Sequence, residues 1–207
     1  MTASSTKPSP GPPSTRERIV GVAIDLFARQ GYGGTSLRNI AEELAITKAA
    51  VYHHFRTKED IAQVIVSRAL DAQQAMVDRL IVAGTDPSAW ERALPRVIDI
   101  AIAERQLLSA LERDEDTYAD LFAGDPIIGP RLSDPGASFG GLLGNPDIDT
   151  AIRVRLGCVL GALMGPLLFL SDHYQDITGD ELRHHLNQAI TILLHELPTE
   201  AHTATAN

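Results

Sequence analysis

Between Thr35 and Phe55 the chain reads Thr-Ser-Leu-Arg-Asn-Ile-Ala-Glu-Glu-Leu-Ala-Ile-Thr-Lys-Ala-Ala-Val-Tyr-His-His-Phe, and this stretch constrains the fold more than any other. Leu37, Ile40, Ala41 and Leu44 fall at i, i+3, i+4 and i+7, which places them on one helix face. Thr35 is suited to cap that helix, spanning about 36–44. Thr47 is suited to cap a second one, about 48–54. Ile46, Val51 and Phe55 can turn inward. Two short helices joined by a tight turn result, with Lys48, Ala49, Tyr52 and His53 left facing outward.

Preceding this pair, Ile19, Val22, Ala23, Leu26 and Phe27 form an amphipathic stripe over a helix of about 15–30. Gly31 is expected to close that helix and Gly33-Gly34 to turn the chain. Thr57 caps a long helix, about 58–82, striped by Ile61, Ile65, Ala69, Ala72, Met76 and Leu80. It acts as a rod from the first unit to the next. A further helix spans about 88–103, with Pro95 predicting a kink or break. Helical segments to Arg113 and over 114–122 come next.

Residues 124–147 are rich in Gly and Pro and read as a long irregular connection with room for one helical turn. Two final helices are expected at about 148–173 and 180–197, the latter opened by a Thr178-x-x-Glu181 capping box. Gly157, Gly161 and Gly165 lie among large apolar residues and suggest close approach of another helix. No internal repeat and no strand-period segment is found. Fold class is therefore all-α. Residues 1–14 form a disordered tail, 15–62 one domain, 63–197 a second, and 198–207 a frayed tail.

The net charge of −9 is unevenly spread. Residues 1–58 hold eight Lys/Arg against four Asp/Glu, or +4, and the remaining chain ten against 23, or −13. Binding to phosphate follows the local field rather than the total. The basic end carries the helix pair, so the pair reads as a helix-turn-helix that docks in DNA. The single cysteine, Cys158, excludes an intramolecular disulfide framework and fits a reducing, cytoplasmic location. The N-terminus lacks the apolar run of a signal peptide. The longest apolar run, Leu156 to Leu170, falls below the roughly 18 residues a membrane span needs, so a buried helix is expected.

An enzyme reading finds little support. Ser171-Asp172-His173 is contiguous, and neighbours on a helix do not converge on one substrate. Asp114-Glu115-Asp116 reads as a solvated acidic run. The adjacent pairs His53-His54 and His184-His185 diverge on a helix, so no metal and no cofactor is expected.

Leu-Phe-Ala-Arg-Gln-Gly-Tyr at 26–32, Thr-Ser-Leu-Arg-Asn-Ile-Ala at 35–41 and Thr-Lys-Ala-Ala-Val-Tyr-His-His-Phe-Arg-Thr-Lys-Glu-Asp-Ile at 47–61 together resemble the tetracycline-repressor (TetR/AcrR) family of bacterial regulators. The likeness covers about 15–66; beyond it only the all-helical layout agrees. Two departures stand out: Ala45 and Ala49 occupy positions where the family often has Gly. If residue 45 is left-handed, Ala costs about 1 kcal/mol more than Gly.

The resemblance implies a three-helix DNA-binding domain followed by a helical ligand-binding and dimerisation domain. It implies a homodimeric, ligand-responsive regulator on a palindromic operator, with a repressor the leading reading. A regulator or architectural DNA binder without an effector is the alternative. In the third helix Lys48 is suited to guanine or phosphate, Ala49 to a thymine methyl, and Tyr52 and His53 resemble the family's phosphate and base contacts. Arg38 is a second base-contact candidate. Thr35, Ser36, Thr47, His54 and Lys58 are assigned to phosphates. Thr35, Thr47 and Thr57 are caps whether or not they touch DNA.

The dimer contact is expected on the last two helices, through Gly157, Gly161, Leu168, Leu186, Ile190 and Leu193. An apolar effector pocket is expected among Trp90, Leu108, Leu111, Tyr118, Phe122, Phe139, Met164 and Phe169, with Ile98 and Leu107 nearby.

Overall fold

The computed structural model describes residues 12–83, 87–133, 139–169 and 177–195, without the side chains of residues 87, 139, 142, 168, 169, 194 and 195. The expected tails, apart from 12–14, lie outside these residues, as do Ser171-Asp172-His173 and 134–138. Every regular element among the described residues is helical.

Helix α1 (Thr15–Gly34) is started by a capping box, Ser14 with Glu17, and is broken internally at Gly31, whose φ is +78° and ψ 164°. Helix α2 (Leu37–Glu43) is capped by Ser36, which exchanges hydrogen bonds with Asn39. Thr35 was expected in that role. Its side chain is buried instead, because its hydroxyl donates to the Gly31 carbonyl at 2.9 Å and stitches the broken end of α1. Helix α3 (Lys48–His54) begins at Thr47, whose hydroxyl accepts from the Ala50 N–H. Between α2 and α3, the N–H of Ala45 bonds to Glu42 O and that of Ile46 to Ala41 O. Those two bonds make a Schellman ending, and Ala45 sits left-handed at φ +52°.

Helix α4 (Lys58–Ala83) is the expected rod. Helix α5 (Pro87–Ala103) continues through Pro95 without the expected break. Trp90, Leu94, Val97, Ile98 and Ala101 are buried along one stripe of it. Their burial, at about 1.5–3 kcal/mol per large side chain, exceeds the roughly 3 kcal/mol cost of one interior proline. Helices α6 (Arg105–Arg113) and α7 (Glu115–Leu121) meet at Asp114. The connection expected to be irregular contains two short helices, α8 (Ile128–Ser133) and α9 (Phe139–Gly144). A single Asp125 carboxylate oxygen accepts from the N–H groups of Ile127 and Ile128 and opens α8.

Helix α10 (Thr150–Met164) passes into a π-helical turn, Gly165–Phe169. Pro166 lacks the N–H that an α-helical continuation would use, which accounts for the wider turn. Helix α11 (Gly179–His195) opens with the Thr178–Glu181 capping box.

Two apolar clusters organise the packing. The first joins α1, α2, α3 and α4 as far as Leu70 to Leu107, Ala110, Leu111, Tyr118, Phe122 and Ile128 of α6–α8. The second joins Met76, Leu80 and Ala83 of α4 to α5, Leu108, α10 and α11. Core packing of the first unit thus extends past the domain boundary placed after residue 62, since α6–α8 close over it.

By length and composition alone, Thr150–Leu167 could cross a membrane: 18 residues of mean hydropathy 1.3, with 28% buried. The apolar window is longer than the run read from Leu156, because it tolerates Arg153 and Arg155. Leu156, Val159, Leu160, Leu163 and Leu167 nevertheless turn into the second cluster, as in a core helix.

Candidate nucleic-acid interface

Val51 and Phe55 are buried in the first cluster, and with α3 only two turns long this fixes which residues stand out. Lys48, Ala49 and His53 are exposed, and Tyr52 is 45% exposed. The Lys48 ammonium lies 5.3 Å from the Tyr52 ring centroid. This contact keeps both long side chains together above the helix rather than splayed. The rings of His53 and His54 meet edge-on at 5.1 Å in the last turn, where the helix dipole favours positive charge. His54 is half-buried.

On α2, Arg38 is exposed, and its Nε donates to Glu42 at 2.7 Å, one turn along the helix. A base contact would require exchange of that exposed ion pair, which costs little. Ser36 and Thr47 are exposed at the N-termini of α2 and α3, and their oxygens already cap those helices. A phosphate could still meet the free amides beside them. Arg16, overlooked in the sequence, stacks on Phe55 with its guanidinium carbon 4.7 Å from the ring centroid. It brings a further positive charge to the foot of α3.

Two of the expected phosphate ligands have other partners. Thr35 is buried, as described. Lys58 donates from Nζ to the Tyr32 carbonyl at 2.7 Å and lies 3.9 Å from the Tyr32 ring centroid. Burial pulls its ammonium below the usual lysine range, against the pull of Glu59 and Asp114. The Tyr32 hydroxyl donates to Glu59 at 2.8 Å. Burial, and then that bond, push the phenol upward. The Glu59 carboxylate is held below its usual value by its own backbone N–H first, then by the Tyr32 hydroxyl.

Nor do the expected pocket residues gather at one place. Leu111, Tyr118 and Phe122 belong to the first cluster, with the buried residues of α2 and α3. Trp90 and Leu108 belong to the second, with Met164 half-buried against it. This split arises because two sides of α6 face different clusters: Leu107, Ala110 and Leu111 share one face, and Leu108, about 100° around the helix, turns to the other. The side chains of Phe139 and Phe169 lie outside the described residues. An open cleft of about 460 Å³ between α4 and α5 is lined by Arg79, Arg92 and Arg96, with Asp78 and four small or branched apolar residues; it uses none of the eight.

At the expected dimer face, Leu186 and Ile190 point into their own core and Leu193 is half-buried against it. Gly161 is open, and Gly157 only meets Leu143 at van der Waals distance. Among the described residues, a Cβ added at Gly161 or Gly165 would meet nothing within 4 Å, so the expected close approach of another helix is not made there by these residues. Leu168 has no described side chain. Among the described residues, the exposed large apolar side chains of these helices are Val154 (62%) and Ile192 (54%). Among the described residues, no group of three or more His, Cys, Asp or Glu could hold a metal ion.

Residues 19–65 match the family model described as "Bacterial regulatory proteins, tetR family". The chain is 28% identical over 190 residues to the transcriptional repressor Rv3405c of Mycobacterium tuberculosis, covering 88% of this chain and 92% of that protein. It is 29% identical over 115 residues to the repressor KstR2 of Rhodococcus jostii, 56% of each. Among solved structures, Mycobacterium smegmatis AmtR superposes with a TM-score of 0.58 at 23% identity, over 93% of this chain and 92% of that one. KstR2 of Mycobacterium tuberculosis does so at 0.56 and 18%, over 87% and 93%. These superpositions share the fold: an N-terminal helix-turn-helix unit and a helical C-terminal domain.

Proposed function

We propose that this chain, which belongs to the tetR family of bacterial regulatory proteins, is a cytoplasmic transcriptional repressor that binds a palindromic operator as a homodimer and is released by a small, mostly apolar effector. The observation that carries this reading is the outward face of α3. Lys48, Ala49, Tyr52 and His53 stand together on the basic end, while Val51 and Phe55 anchor the helix from behind. A helix held this way can enter the major groove and present donors and a methyl group to base edges. Arg38, Ser36, Thr47 and His54 flank it toward the phosphates.

A single reading helix buries too little surface for tight specificity. Two copies solve this by meeting half-sites about 34–36 Å apart. Support for a second copy comes from α10 and α11, where Val154, Gly161 and Ile192 are left uncovered. An isologous contact through that face would pair α10 and α11 with their symmetry mates. The repressor sense rests on Rv3405c and KstR2, which are named as repressors.

For the effector, the second cluster around Trp90, Leu108 and Met164 is the apolar region that α4 links to the reading pair. A ligand seated there can release DNA only by its differential affinity for two conformations. Selection of genomic fragments by the purified protein tests the first part: one short palindrome should dominate, and an unrelated collection would contradict it. A thermal-shift screen with apolar compounds tests the second. A stabilising compound should also dissociate the protein from the selected fragment.

A further inference from the structure

The reading pair, Ser36 to Phe55, is a loop closed at its base. One end leaves from Tyr32 and Thr35, and the other enters α4 at Lys58 and Glu59. Lys58 bonds the Tyr32 carbonyl and Glu59 accepts from the Tyr32 hydroxyl, so the two ends are clamped together on one residue. Thr35 and Gln30 reinforce the first end: Gln30 Nε2 donates to Gly34 O and to the Thr35 hydroxyl.

The clamp has a third leg from far along the chain. The N–H of Tyr32 donates to the Asp114 carboxylate at 2.7 Å, across 82 residues of sequence. Next to it, Arg113 donates to the Ala28 carbonyl at 3.0 Å. The break in α1 at Gly31 is what turns the Tyr32 N–H away from the helix axis toward this carboxylate. Asp114 is also the junction of α6 and α7, so any change in the angle between those helices moves it. The ring of Tyr118, one turn into α7, meets the Tyr32 ring edge-on at 5.7 Å. Its hydroxyl is buried at the same joint, with no hydrogen-bond partner among the described residues.

We propose that Asp114, outside the helix-turn-helix, is a positioning residue for DNA reading: its carboxylate holds Tyr32, and through Tyr32 the α6–α7 junction sets how α3 is presented. This rests on the reading of α3 as the DNA-contacting helix. Asp114 touches no base itself. It acts through the amide of Tyr32, whose carbonyl and hydroxyl in turn hold the start of α4.

The test compares the full-length protein with Asp114→Ala, which removes the acceptor, and Asp114→Asn, which keeps an acceptor without the charge. Affinity is measured well below the melting temperature for a palindromic fragment selected by the unsubstituted protein and for a scrambled duplex of equal length. Asp114→Ala should lower the ratio of the two affinities by about tenfold, and Asp114→Asn by clearly less. A merely structural role would lower the melting temperature and leave that ratio within about twofold, which would overturn the proposal. Should Asp114→Ala not fold, a ratio in Asp114→Asn equal to that of the unsubstituted protein would overturn it, and a reduced one would support it. Amide hydrogen exchange without DNA provides an independent arm. Faster exchange across both 32–39 and 56–60 supports the clamp, and faster exchange at Tyr32 alone overturns it. Failure of the unsubstituted protein to select any fragment would count against α3 as a reader while leaving the exchange arm to decide the clamp.

Discussion

The Lys58 ammonium donates to the carbonyl of Tyr32 at 2.7 Å and sits 3.9 Å from the centroid of the same residue's ring. One side chain thus satisfies a carbonyl at the broken end of α1 and covers an aromatic face. This occupies the charge that a phosphate contact would need. Replacing Lys58 by Met keeps most of the stem and removes the charge. The expected loss is about 2 kcal/mol of stability, from a charged hydrogen bond plus a cation–π contact. Urea unfolding reads that loss directly. The salt dependence of DNA binding should keep its slope, whereas loss of a phosphate contact would reduce the slope by about one.

Gly31 is irreplaceable on two counts. Its φ of +78° with ψ of 164° is a region other residues scarcely enter, and an added Cβ would lie 3.2 Å from an Asp114 carboxylate oxygen. Gly31→Ala should cost about 2 kcal/mol or more from backbone strain. For a chain of this size, the corresponding fall in melting temperature is roughly 4–8 °C. Calorimetry giving an unchanged melting temperature would contradict the geometry of the α1 break.

Ala45 offers the opposite case. It occupies the left-handed position of the Schellman ending of α2, at φ +52°. A glycine there avoids the Cβ clash, so Ala45→Gly should stabilise by about 1 kcal/mol. A rise in melting temperature of about 2–4 °C, with DNA affinity unchanged, is the expected result. A fall would mean that the conformational freedom glycine adds to the unfolded chain outweighs the relieved strain.

These residues also mark what could be read from the sequence. The position of α3 was legible because Thr47 caps it and Val51 and Phe55 give its inner face, so its outward residues followed. The strain at Ala45 was legible only conditionally, through the resemblance: Gly is frequent there in the family, and the cost followed if the residue proved left-handed, as its φ of +52° is. The tie between Asp114 and Tyr32 was not, because no periodic pattern encodes a contact across 82 residues. An isolated Asp-Glu-Asp run looks the same whether solvated or bonded. Leu107, Leu108 and Leu111 are similarly ambiguous: all are apolar on one short helix, and only packing sends Leu108 to one cluster and its neighbours to the other. Leu186 and Ile190 were assigned to the dimer face because a stripe shows that a helix has an apolar side, not which body covers it. The two short helices at 128–133 and 139–144 were missed because Gly and Pro mask their periodicity.

The uncovered face of α10 and α11 yields a separate prediction. Val154 and Ile192 are large, apolar and more than half exposed. Introducing a charge at each, Val154→Glu with Ile192→Glu, should leave the fold intact, since neither side chain belongs to the core. Light scattering at micromolar concentration should then report monomers where the unsubstituted protein gives dimers. Dimers that persist in the double variant would place the contact elsewhere.

Hydroxyl-radical footprinting of the selected fragment tests the central claim most directly. If α3 reads DNA from both copies of a dimer, two protected half-sites should appear about 34–36 Å apart on one face of the duplex. Lys48→Ala and Tyr52→Ala should weaken protection equally in both halves, with each lost base contact costing about 1–3 kcal/mol. Protection of one half-site only, uniform protection along the fragment, or a footprint unchanged by both substitutions would contradict it.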